Sequence, residues 1–208
     1  LGDVYKRQLV GFLKEKFSKT HNVKIFHADA LTFNYEYLPQ GTLVVSNIPY
    51  YISTPLIRRL MEARKRFPVM VLMLQKEVAE RITAAPGTRD YGALSVFVQL
   101  YSEPEIKMVV PPSCFSPRPK VDSAVVKFVL RQIPKVPIAD ERAFGRMVTR
   151  VFSQRRKTLL NVLTISLGMS REEARLLLQG CGIDPQRRPE TLTLQEFSSL
   201  SFRAGLRG

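Results

Sequence analysis

With 208 residues, 45% of them hydrophobic and 24% charged, the chain can bury one medium domain and a small one, which excludes a disordered tail or a fibrous repeat. Lysine and arginine outnumber aspartate and glutamate by 32 to 18, a formal charge of +14, so the expected partner is a polyanion, nucleic acid before an anionic membrane surface. No apolar run approaches the ~20 residues of a membrane-spanning helix. Two cysteines, Cys114 and Cys181, are too few for a disulfide framework or a zinc site, which points to no metal and to a reducing, cytoplasmic compartment.

The first periodic segment, Leu9 to Lys19, carries apolar residues at 9, 10, 12, 13 and 17 and predicts a helix with lysines on its other face. The stretch 23–27 reads as a short strand that leads into a loop through Asp29 and Ala30. Residues 42–46 (TLVVS) read as a buried strand, 54–66 as a helix rich in arginine, and 69–75 (VMVLMLQ) as a third strand. A helix from Lys76 is expected to stop near Pro86-Gly87. The segment 91–101 has helical spacing, but Val96, Phe97 and Val98 leave it open between helix and strand. Strands alternating with helices predict a mostly parallel sheet with helices on both faces.

After Tyr101 the rhythm changes. Two apolar stretches, 105–110 and 123–130, flank a proline-rich loop with no helix between them, which predicts an antiparallel hairpin at the sheet edge. Residues 131–140 form a linker, and everything beyond reads as helix: 140–153, 157–167, 170–180 and 193–203. The expected division is 1–134 for an α/β domain and 135–208 for an all-helical one. The helical part holds 13 basic and 7 acidic side chains and the remainder 19 and 11, so the cationic surface is built across both.

In open parallel sheets, ligands bind beyond the carboxyl ends of the strands. The strand assignments put two loops there, one with Asp29 and one with Asn47-Ile48-Pro49-Tyr50. An exocyclic amine on a planar base is a poor nucleophile, and a site for it must accept both of its N–H bonds. The Asn47 side-chain oxygen can take one and the Ile48 carbonyl the other. Pro49 restricts Ile48 to extended angles and so aims that carbonyl, while Tyr50 offers a face worth ~1–3 kcal/mol to a stacked base. The plainer alternative is a strand end with an Asx-type turn and a buried tyrosine.

The tetrapeptide resembles the Asn-(Leu/Ile)-Pro-Tyr motif of amino-group methyltransferases that use S-adenosylmethionine. The blocks LMLQKEVAERI, DYGALSVFVQ, PPSCFSPRPKVDSAVV, FSQRRKTLLNVL and GIDPQRRPETLTLQEF resemble, in order, those of the KsgA-type ribosomal RNA adenine dimethyltransferases. The resemblance implies a Rossmann-like methyltransferase sheet and a small helical C-terminal domain. It also implies transfer of two methyl groups to N6 of each of two adjacent adenosines near the 3′ end of small-subunit ribosomal RNA. By the same resemblance Asn47, Ile48, Pro49 and Tyr50 form the acceptor turn, and Phe115 covers the other face of the base. Asp29 and Ala30 meet the cofactor's adenine, and Asn47 borders the cofactor. Arg58, Arg59, Arg64, Lys65, Arg155, Arg156 and Lys157 are candidates for RNA phosphates. The expected partner is the RNA or a partly assembled small subunit, and the expected state a monomer.

The family pattern opens with a strand and a glycine-rich loop that this sequence does not show; the resemblance begins at Leu9. The sheet is therefore expected to be incomplete at its N-terminal side, with residues 1–8 foreign to the family. Alternatives are a large-subunit adenine methyltransferase of the macrolide-resistance type, or a non-catalytic RNA-binding assembly factor.

Overall fold

A computed structural model of the chain describes residues 2–205, with side chains from Arg7 onward. Residues fall into two compact units, one up to Asn34 and one from Tyr35 on.

In the first unit, helix α1 spans Gly2–Lys16. It begins before the predicted Leu9 and takes in residues 2–8 of the segment read as foreign, whose side chains before Arg7 lie outside the described residues. Residues 23–27, read from sequence as a strand, have no regular structure. A strand exists only where a neighbour completes its ladder, and these residues pair with none among those described. Their apolar members Val23 and Phe26 are correspondingly exposed, although Phe26 packs edge-on against Phe33.

The second unit is built on a four-stranded sheet: β1 (Val44–Asn47), β2 (Val69–Gln75), β3 (Ser102–Val110) and β4 (Ser123–Leu130), in the order β1-β2-β4-β3. β1 and β2 are parallel; β4 is antiparallel to both β2 and β3. The sheet is thus mixed rather than mostly parallel, because the expected β3–β4 hairpin folds back and inserts β4 beside β2. Met70, Leu72, Leu74, Ala124, Val126 and Phe128 are fully buried on one face, at about 1.5–3 kcal/mol for each large side chain. On the opposite face Val71, Met73 and Val125 are half-buried and Val45 is exposed, so within this unit helices fully cover one face, not two.

Helices α2 (Ser53–Glu62), α3 (Lys76–Thr83) and α4 (Ala93–Tyr101) complete the sheet portion. The ambiguous segment is helical: the Ser95 hydroxyl accepts from the Gly92 amide at 2.9 Å, which supplies a helix start, and Leu94, Val96, Val98 and Leu100 are buried. Burial on most sides explains why its sequence lacks a polar stripe.

The C-terminal part contains α5 (Glu141–Phe152), α6 (Leu159–Leu167), α7 (Arg171–Gly180) and α8 (Leu194–Arg203). The starts of α5, α7 and α8 are capped by side chains. Asp140 accepts from the Ala143 amide at 2.7 Å, and Ser170 with Glu173 and Thr193 with Glu196 form reciprocal capping boxes. Gly168 ends α6 in the left-handed region, at φ 71°, where a side chain would be strained. Phe144, Met147, Val151, Leu160, Leu178 and Phe197 form the core. Ser198 of α8 donates to the Pro137 carbonyl of the preceding linker at 2.6 Å, and the Gly87 amide fastens this part to the sheet portion by donating to the Glu190 carbonyl at 2.7 Å.

Candidate active site

Asn47 is the last residue of β1, at the carboxyl end of the parallel pair. The Ile48 amide donates to the Met73 carbonyl at 3.1 Å, and the residue as a whole is 1% exposed. The chain therefore leaves the sheet with Ile48 anchored as a plug. Pro49 follows at φ −56°, ψ 130° and caps a 3-10 turn over Tyr50–Ile52; its carbonyl accepts from the Ile52 amide at 3.1 Å. Among the described residues, the exposed Asn47 side chain and the Ile48 carbonyl have no hydrogen-bond partner. Two adjacent polar groups that the fold leaves unsatisfied suit a ligand that offers N–H bonds.

Tyr50 is half-buried and held in place: its hydroxyl and the Ser123 hydroxyl are 2.7 Å apart. Ser123 is fully buried. It is the first residue of β4, in register with Gln75 of β2 and Val110 of β3. Both ends of the proline-rich loop 111–122 are therefore rooted at the residue that holds Tyr50. Phe115 sits half-buried in that loop, its amide donating to the Pro112 carbonyl at 3.2 Å. The sequence reading missed Ser123; a serine at a strand start carries no local signal of a partner 73 residues away.

Asp29 belongs to the other unit. It is exposed, and its Oδ1 accepts from the Leu31 amide at 2.9 Å while its carbonyl accepts from the Phe33 amide at 2.8 Å. This Asx turn fixes the carboxylate and leaves its second oxygen without a hydrogen bond among the described residues. That oxygen fits the adenine amino group of S-adenosylmethionine, with half-buried Ala30 next in the chain.

The seven basic candidates divide. Arg64 is 7% exposed; it pairs with Glu141 at 2.6 Å and lies 4.0 Å over the Tyr101 ring. It is a structural tie between the sheet portion and α5 rather than a free surface charge. Burial, reinforced by Glu141, pushes the Tyr101 hydroxyl well above its ordinary pKa. Arg155 donates to the Arg89 and Tyr91 carbonyls at 2.6 and 2.9 Å, so it also fastens a loop. Arg59 pairs with Glu62 at 3.2 Å. Arg58, Lys65, Arg156 and Lys157 are exposed. Arg155 and Arg156 line a cavity of about 360 Å³ together with Arg89 and Arg188, which sequence reasoning did not single out. Among the described residues no group of three His, Cys, Asp or Glu side chains is placed to hold a metal ion, and no helix is long and apolar enough to cross a membrane.

The family model described as ribosomal RNA adenine dimethylase matches residues 5–201. The chain is 45% identical over 206 residues to the ribosomal RNA small subunit methyltransferase A of Moorella thermoacetica, covering 94% of this chain and 71% of that protein. It is 46% identical over 200 residues to the protein of the same name from Geobacter metallireducens, covering 93% and 73%. Among solved structures, a dimethyladenosine transferase from Plasmodium falciparum superposes with a TM-score of 0.79 at 25% identity, over 96% of this chain and 79% of that one. The 23S rRNA methyltransferase ErmE gives 0.66 at 25% identity, over 94% and 78%.

Proposed function

The chain belongs to the ribosomal RNA adenine dimethylase family, and from that premise we propose that it transfers methyl groups from S-adenosylmethionine to N6 of two adjacent adenosines near the 3′ end of small-subunit ribosomal RNA. The small-subunit reading is supported by 45–46% identity to relatives named for the small subunit, and by a TM-score of 0.79 to the dimethyladenosine transferase against 0.66 to ErmE at equal identity. The observation that carries the proposal at residue level is the pair of unsatisfied acceptors, Asn47 and Ile48, beside a tyrosine whose ring is pinned by Ser123.

S-adenosylmethionine, when bound, supplies a methyl group already activated on a sulfonium. The protein's task is then positioning and exclusion of water. Asn47 Oδ1 and the Ile48 carbonyl accept the two N–H bonds of the adenine amine, which orients its lone pair. Tyr50 stacks on the base, which must leave its own stack to enter, and Phe115 covers the other face. Asp29 and Ala30 hold the adenine end of the cofactor. The nitrogen becomes acidic once alkylated and releases its proton without a dedicated strong base. After the first transfer one N–H remains, and one of the two acceptors still orients it for the second.

The same proposal includes Arg58, Lys65, Arg156 and Lys157 as phosphate contacts, a functional division between 134 and 135, and a monomer that works in the cytoplasm on the RNA or a partly assembled subunit. The test is methyl transfer to under-methylated small subunits. Asn47→Ala is expected to remove transfer with thermal unfolding unchanged. Full transfer by that variant would overturn the acceptor assignment.

A further inference from the structure

Between α2, α4 and α5 lies a groove of about 790 Å³ whose charged rim the acceptor chemistry does not use. Arg142, Arg146 and Arg150 follow one another at four-residue intervals on the exposed side of α5, about 6 Å of helix rise apart. Arg58 borders the same groove from α2, its guanidinium 5.2 Å over the Phe97 ring. Arg142, Arg146 and Arg150 have no ion pair among the described residues, nor does Arg58. The two carboxylates of the groove are already committed, Glu62 to Arg59 and Glu141 to Arg64.

The fold gains little from this arrangement: Arg150, in the last turn of α5, suits the helix dipole, but the rest of the pattern costs stability. Like charges at four-residue spacing repel along a helix. Arg142 stands in the first turn of α5, where the helix dipole disfavours a cation. Gly145 lies between these arginines in mid-helix, where glycine is a poor choice. No neighbour requires it: a Cβ there would meet nothing within 4 Å. Three features that each cost stability converge on one open surface, and an anionic ligand approaching the α5 backbone would offset all three.

We propose that this groove binds a stretch of RNA phosphate backbone outside the acceptor nucleotides; the inference rests on the RNA-modifying reading above. Its aromatic faces are taken by cations, Phe97 by Arg58 and Tyr101 by Arg64, so bases have no platform and recognition is by charge, independent of sequence. α2 starts three residues after Tyr50, and Arg58 is about 7 Å along that helix, so one RNA can engage the acceptor turn and enter the groove.

The test is binding of a fluorescent small-subunit RNA fragment and of an unrelated RNA of equal length, over a series of salt concentrations. Replacing all three residues together, Arg142→Gln, Arg146→Gln and Arg150→Gln, is expected to weaken both RNAs at least tenfold near ~0.1 M salt. It should also reduce the slope of log affinity against log salt by roughly two. Gly145→Leu is expected to keep or raise the thermal midpoint while weakening RNA several-fold, because the side chain fills the groove and not the core. Unchanged RNA affinity in both variants would overturn the groove. If Arg156→Gln with Lys157→Gln weakens RNA while the groove variants do not, the groove falls and the RNA-modifying reading stands. If the wild-type chain shows no salt-dependent RNA binding, that reading falls and the groove with it. ATP binding that the triple variant abolishes while RNA binding stays intact would also overturn it, assigning the groove to a small phosphate ligand.

Discussion

The turn after β1 and the starts of α5, α7 and α8 present the same kinds of polar group and treat them in opposite ways. At the helix starts every conspicuous side chain is used internally: Asp140 on Ala143, Ser170 on Glu173, Thr193 on Glu196. At the turn, the exposed Asn47 side chain and the covered Ile48 carbonyl have no hydrogen-bond partner among the described residues, while their surroundings are fixed by Ile48 burial and the Tyr50–Ser123 contact. The arginines repeat the contrast: Arg64, Arg155 and Arg187 are bonded to protein groups, whereas Arg142, Arg146 and Arg150 face outward. A polar group that the fold satisfies is there for the fold; one that a rigid frame holds unsatisfied is there for something else.

The largest effect that could break this contrast is at Asn47. Loss of one positioned acceptor on the reacting amine is expected to lower the rate of transfer by about 10²–10³-fold, with no change in the urea midpoint. A shifted midpoint would place Asn47 among the structural groups. Arg64→Ala is expected to do the reverse. It leaves Glu141 without its partner and uncovers the Tyr101 ring, at a cost of about 2–3 kcal/mol, less than the breaking of a fully buried pair because Glu141 is half-exposed. Measured by chemical denaturation, a loss below ~0.5 kcal/mol would show Arg64 to be a surface charge after all.

Ser123→Ala sharpens the comparison between the two. It should leave cofactor affinity unchanged and slow transfer about three- to tenfold, since a hydrogen bond of this kind is worth ~1 kcal/mol and its loss frees the Tyr50 ring. Tyr50→Phe should match it, and the double variant should cost little more than either. Additive losses would mean that the 2.7 Å contact does not act on catalysis.

What is legible in the sequence follows the range of the interaction. The predicted bounds of β2 and β4 match to the residue, and those of the C-terminal helices to within two, because periodicity and caps are written in adjacent residues. The acceptor turn is legible because four consecutive residues carry its chemistry. The 23–27 segment misleads because a strand depends on a neighbour that its own sequence does not specify. Arg64 and Arg155 read as surface charges because their partners lie 77 and 64–66 residues away. The stripe at 142, 146 and 150 is visible as spacing, but its emptiness of partners becomes evident only with Glu62 and Glu141 engaged elsewhere.

The smallest expected effect concerns a satisfied group. Burial works against the Glu196 carboxylate, but hydrogen bonds from Arg187 and Thr193 outweigh it and hold its pKa below the usual glutamate value. Its contribution is present in full above the unfolded pKa of about 4.3 and is lost as pH falls through the lower folded value. Glu196→Gln retains a capping side chain for Thr193 but not the charge that meets Arg187. The variant should be less stable than the wild type by about 1 kcal/mol at pH ~6–7, and the gap should close as pH falls below the unfolded glutamate pKa and through the lower folded one. Denaturation midpoints of both proteins across that window isolate Glu196, since every other carboxylate titrates in both. A gap that stays constant would mean that Arg187 is held by its bonds to Thr191 alone, and that the ion pair joining α8 to the preceding loop adds nothing.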